Sequence, residues 1–146
     1  GVQGLAMKAS VFDASVLVKL LHAEPGTPGA RAAFDECSPQ PMAPEWALLE
    51  CAQALWRKTG SGELTAGQAL RRYEALEAIG LHLVGAADLG GTALSLALAL
   101  EHPVHDCLYV ALALAEGATL VTADVKQREV AEAAGVEVHW IDPAAG

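Results

Sequence analysis

Apolar and polar positions change period repeatedly along the chain, and each change marks an element. Short apolar runs at residues 8–12, 81–84, 119–122 and 136–140, with a very short one around Met42, read as strands. Between them lie longer stretches with helical spacing: 16–23, 28–37, 44–58, 65–78, one running from near Asp88 to Glu101, then 106–116 and 125–134. Stop signals stand where these stretches end. Glu24-Pro25-Gly26 closes the first, Gly60-Ser61-Gly62 the third, and Gly80, Gly117 and Gly135 follow three others. Pro44 suits a first helical turn, where its missing N–H costs nothing, and Thr65 suits an N-cap. Asp88 or a neighbour would cap the fifth helix, which His102-Pro103 breaks. Strands alternating with helices predict an α/β domain. Its centre is a mainly parallel sheet of about four to five strands with helices on both faces. Residues 108–115 are apolar all round, the pattern of a helix that is deeply buried or serves an oligomer interface.

Composition narrows this picture. A chain of 146 residues is one domain's worth. Its 53% hydrophobic and 18% charged residues suffice for one sizeable core and exclude a disordered chain. Residues 1–6 carry no charge and precede Met7, so they read as an expression remnant rather than a signal peptide, leaving 7–146 as a single domain. The longest uncharged stretch of the Ala/Leu-rich region, 89–100, falls well short of the roughly 20 residues a membrane span needs. Cys37, Cys51 and Cys107 form no CxxC pair, which suits a reducing cytoplasm with each packed as a small apolar residue. Eighteen acidic against nine basic residues give a net charge of −9. That argues against a protein that coats nucleic acid. It leaves open a nucleic-acid enzyme whose acids are gathered in a metal site.

Four acids stand where such a site would form. Asp13 and Asp124 follow strands, and in an open parallel sheet ligands bind beyond the carboxyl ends of the strands. Asp106 opens the helix that precedes the strand leading to Asp124. Glu50 lies inside a helix on a face of small and polar residues, shared with Ala47, Gln53, Ala54 and Arg57. Clustered carboxylates repel one another unless a cation sits among them, and hard oxygen ligands select Mg²⁺ or Mn²⁺. Each acid taken alone also has a plainer reading. Asp124 with Gln127 fits a capping box, Asp13 and Asp106 fit N-caps, and a lone Glu50 fits a solvated helix face. Only the joint arrangement points to a metal. Glu45 reads as a first-turn acid serving the helix dipole, and Trp46 and Trp56 as core residues. Lys126 and Arg128 are placed to meet a nucleic-acid backbone. Arg71 and Arg72 read as a solvated face or a phosphate contact. No GxGxxG follows the first strand, and neither GxxxxGK[ST] nor GxSxG occurs.

In order and spacing these segments resemble a PIN domain: Val11-Phe12-Asp13-Ala14-Ser15, Pro44-Glu45-Trp46-Ala47-Leu48-Leu49-Glu50, His105-Asp106-Cys107-Leu108-Tyr109 with the helix that follows, and Leu120-Val121-Thr122-Ala123-Asp124. Within that family the chain is most similar to VapC-type toxins of bacterial toxin–antitoxin pairs. The resemblance implies a single PIN-like fold and an endoribonuclease dependent on Mg²⁺ or Mn²⁺. Asp13, Glu50, Asp106 and Asp124 match the metal-binding, catalytic quartet, and Ser15 and Thr122 match supporting hydroxyls. It further implies a homodimer and a VapB-like antitoxin. In so acidic a chain RNA or antitoxin would have to be met by local cations such as Arg57, Arg71, Arg72, Lys126 and Arg128. Two alternatives remain open at this stage. One is a non-catalytic PIN-like interaction module, and the other is a metal-dependent phosphatase on a similar sheet.

Overall fold

The apolar runs assemble into one parallel sheet. The computed structural model describes residues 9–145, so the reading of 1–6 and of Lys8 lies outside the described residues. The strands are β1 Ser10–Phe12, β2 Pro41–Pro44, β3 His82–Val84, β4 Thr119–Thr122 and β5 Val138–Trp140. Their order across the sheet is β3-β2-β1-β4-β5, and every neighbouring pair is parallel. The helices are α1 Ala14–Leu21, α2 Thr27–Asp35, α3 Trp46–Gly60, α4 Ala66–Ala78, α5 Ala86–Leu100, α6 Leu108–Glu116 and α7 Val125–Ala133.

Chain order and strand order together place the helices. From β1 the chain steps outward to β2 and β3, carrying α1 to α4 over one face. It then crosses back to the far side of β1, forms β4 and β5, and carries α5 to α7 over the other face. Right-handed crossovers require this division. The reversal falls between β1 and β4, the switch point where ligands of such sheets bind. The central strands are buried on both faces, so Val11, Phe12, Leu120 and Val121 read as unbroken apolar runs. Helix α6 is the spine of the core on its side, with Leu108 to Ala113 all buried. Leu114 beyond them is exposed.

Several boundaries differ from expectation for local reasons. Pro44 is the last residue of β2, not the first of a helix, because its fixed φ suits extended backbone as well as a helix start. Helix α3 therefore begins at Trp46. Gly85, not Asp88, is the N-cap of α5, and Asp88 sits in its first turn. Asp106 does not open α6. It lies in a separate 3₁₀ turn, Val104–Cys107, begun by Pro103, whose carbonyl accepts the Asp106 N–H at 3.0 Å. Trp46 and Trp56 are not core residues; they are 38% and 66% exposed. Thr65 is the N-cap of α4, as expected, and Gln68 completes a capping box with it. Among the described residues no helix is long and apolar enough to cross a membrane.

Candidate functional site

Asp13 stands one residue past β1, at the switch point, and is 2% exposed. Its carboxylate is surrounded by donors. Ser15 Oγ donates to Oδ1 at 2.5 Å, the Val16 N–H to Oδ1 at 3.3 Å, and Thr122 Oγ1 to Oδ2. The hydroxyls are themselves oriented. Ser15 Oγ accepts the Ala123 N–H at 3.0 Å, and Thr122 Oγ1 accepts the Asp124 N–H at 3.0 Å. With backbone protons filling their acceptor side, both hydroxyls turn their own protons to Asp13. A carboxylate has about four acceptor positions. Three are taken, which leaves one for a ligand. Burial nevertheless pushes the Asp13 carboxyl up to about 7, against the lowering effect of the three hydrogen bonds. The Asp124 charge nearby raises it further.

Glu50 points inward from α3. Tyr109 on α6 donates its hydroxyl to Oε1 at 2.6 Å, and the same hydroxyl accepts the Ala14 N–H at 3.3 Å. One phenol thus ties the α3 acid to the start of α1. Partial burial raises the Glu50 carboxyl, and the Asp106 and Asp124 charges reinforce that rise while His105 and the Tyr109 bond oppose it. Asp124, exposed at the start of α7, accepts the Lys126 N–H at 3.0 Å as an N-cap. The capping box expected with Gln127 does not form. The Gln127 side chain, 5% exposed, instead donates to the Asp106 carbonyl at 2.8 Å and so holds the 3₁₀ turn that carries Asp106. Asp106 itself is flanked by Lys126 Nζ at 3.6 Å and His105 Nε2 at 3.4 Å.

These carboxylates share one sheet edge and sense one another's charge, but they do not close up. Among the described residues no three Asp, Glu, His or Cys side chains are gathered tightly enough to hold a metal ion. Each is held by its own partners instead: Glu50 by Tyr109, and Asp106 by Lys126 and His105. The donor set still suits a hard divalent cation. It is all carboxylate and hydroxyl oxygen, and its central member has an acceptor position to spare. Cys51, beside Glu50, is pushed up to about 12 by burial and the adjacent Glu50 charge, so no thiolate competes for soft metals.

A groove of about 520 Å³ opens beside this edge, lined by Ser15, Glu50, Arg57, Lys58, Ala123 and Asp124 among others. Arg57 lines it, whereas Lys58 is committed to Glu24 at 2.9 Å. Arg71, Arg72 and Arg128 are not among its walls. Arg128 lies 4.1 Å over the Trp140 ring, a cation–π contact. A sequence model of the PIN domain family matches residues 10–133. The chain belongs to the PIN domain family.

Solved structures agree with that fold. PAE2754 of Pyrobaculum aerophilum aligns at TM-score 0.68 with 17% identity, over 90% of this chain and 89% of its own. VapC20 of Mycobacterium tuberculosis, a toxin that cleaves the sarcin–ricin loop, aligns at TM-score 0.68 with 17% identity, over 88% and 96%. VapBC2 of Rickettsia felis, bound to a DNA fragment of its promoter, aligns at TM-score 0.66 with 16% identity, over 92% and 99%. No curated protein sequence matches the chain. Sequence reasoning gave no structural role to Tyr109 and misread that of Gln127 in this PIN domain. Tyr109 carries the one strongly polar atom of an otherwise apolar helical run, and such a hydroxyl must find a buried partner. Gln127 carried a signal too, but it fitted local capping equally well.

Proposed function

We infer that this PIN domain is a divalent-metal-dependent endoribonuclease of the kind that serves as toxin in a VapBC pair. The observation that carries the reading is Asp13, a buried carboxylate at the switch point that receives three donors and shares its sheet edge with Glu50, Asp106 and Asp124. These four would hold Mg²⁺ or Mn²⁺. The bound ion would supply an activated water and neutralise charge on the scissile phosphate. The chain's own groups do the positioning. Ser15 and Thr122 orient Asp13, Tyr109 holds Glu50, and Gln127 fixes the turn of Asp106. Arg57 in the groove is the cation best placed for an RNA phosphate. Lys126 is set against Asp106, and Arg71, Arg72 and Arg128 are proposed only as outlying contacts with RNA or antitoxin.

A VapB-like antitoxin and a homodimer are proposed on the same footing, supported by toxin–antitoxin complexes among the fold's neighbours. The test is RNA cleavage by wild type, Asp13→Asn and Asp106→Asn, each with Mn²⁺ and with chelator. Cleavage should need the metal and vanish in both variants while circular dichroism stays native. Cleavage that survives both substitutions sinks the reading. The open spacing of the carboxylates favours one rival, a non-catalytic PIN module. It requires neither cleavage nor a thermal shift with Mn²⁺.

A further inference from the structure

A second pocket lies on the same sheet edge, over the ends of β2 and β3. Its volume is about 470 Å³, and its walls include Trp46, Leu83, Val84, Leu89 and Leu108, with Glu45 among them. The walls are mainly apolar, and Glu45 brings the charge. The Glu45 backbone N–H donates to the Val84 carbonyl at 2.9 Å. Its carboxylate lies over Gly85, where an added Cβ would stand 3.7 Å from Oε2. Among the described residues that carboxylate has neither a hydrogen bond nor an ion pair. Trp46, exposed, stands 6.1 Å from the His105 ring at a 44° tilt. His105 Nε2 is in turn 3.4 Å from Asp106 Oδ1. The pocket is therefore joined to the acidic site through two exposed rings.

An apolar pocket with a bare carboxylate repels phosphate and accepts N–H donors. A flat aromatic wall adds a stacking surface, and unpaired RNA bases are recognised by stacking on such rings and hydrogen bonding at their Watson–Crick edge. Guanine alone presents two adjacent donors there, N1–H and N2–H, which match the two oxygens of one carboxylate. Two strand spacings, about 10 Å, separate the β2/β3 junction from the β1/β4 junction where Asp13 stands, within reach of a neighbouring nucleotide. We propose that this pocket holds an unpaired guanine of the RNA substrate beside the scissile phosphate, stacked on Trp46 and donating to Glu45. It rests on the ribonuclease reading above and names that substrate's recognition element.

The test uses the full chain in chelator, with GMP, AMP, CMP and UMP compared by equilibrium dialysis. GMP should bind at least tenfold more tightly than the other three. Glu45→Gln should erase that preference. Trp46→Ala should weaken all four by roughly tenfold, the scale of one lost stacking contact, and Trp46→Phe should recover most of it. On a mixed-sequence RNA, wild-type cuts should cluster next to guanines and spread in Glu45→Gln. Equal binding of the four nucleotides to wild type overturns the proposal, as does cleavage whose positions are the same in wild type and Glu45→Gln. Guanine-selective binding in a chain that cleaves no RNA keeps the pocket and overturns the ribonuclease reading alone. If the pocket seats a second copy instead, Trp46→Ala lowers the mass in sedimentation and leaves nucleotide binding unchanged, which also overturns the proposal.

Discussion

Asp13 carries two opposed demands. Three donors favour its charged form, and burial opposes it more strongly. The folded carboxyl, at about 7, lies above its ordinary value of 3.8. A proton is therefore held more tightly in the folded state. Without metal, the stability this adds is complete below about pH 4 and is lost as pH rises toward 7. We expect the metal-free protein to lose up to about 4 kcal/mol from this group across that window. The measurement is urea unfolding of wild type minus Asp13→Asn in chelator at several pH values. A difference that is flat across the window contradicts the assignment. Tyr109→Phe tests the neighbouring tie. It removes the donor to Glu50 and leaves the Ala14 N–H without its acceptor, a loss of about 1–3 kcal/mol by thermal melting. Cleavage should fall as well, because Glu50 is no longer held inward.

Asp106 and Gln127 were misread for one reason: each carries a local signal that fits two arrangements. An acid just before an apolar helical run fits an N-cap, so Asp106 looked like the cap of α6, although it lies in a separate 3₁₀ turn. A glutamine three residues after an acid looked like a capping box, although Gln127 bonds to a turn 21 residues earlier in the chain. Where the signal is local, as in the Thr65 N-cap, the sequence reading holds, and Gln68 completes the box. These cases separate by experiment. Thr65→Ala should cost about 1 kcal/mol of stability and leave cleavage unchanged. Gln127→Met keeps the buried volume and removes a side chain whose Oε1 has no partner among the described residues, so stability should change little. Cleavage should drop, because the Asp106 turn loses its anchor. A large stability loss with unaltered cleavage would make Gln127 only a core residue.

At the scale of the molecule, charge and metal are linked. The chain carries −9, and four of its acids share the sheet edge at the switch point. Protons and a divalent cation compete for Asp13, so Mn²⁺ should raise the melting temperature more at pH 8 than at pH 5. The same shift should be small in Asp13→Asn at both pH values. Equal shifts in wild type and variant would place the ion elsewhere.

The sequence by itself determined the alternation of strand and helix, and with it the parallel sheet and the family. Apolar period, glycine stops and the order of four acids are all local or ordinal signals, and they survive without knowledge of contacts. The acids' strand-end placement at Asp13 and Asp124 was legible for the same reason. What only tertiary structure decided is how those acids are held. The Tyr109–Glu50 bond spans 59 positions and the Thr122–Asp13 bond 109, and no local period encodes either. The strand order β3-β2-β1-β4-β5 brings β1 beside β4. It also leaves Trp46 at the rim of a pocket instead of in the core, and puts Glu45, the N-cap of α3, on the same rim. Exposure is a property of what packs nearby, and a residue's own type does not fix it.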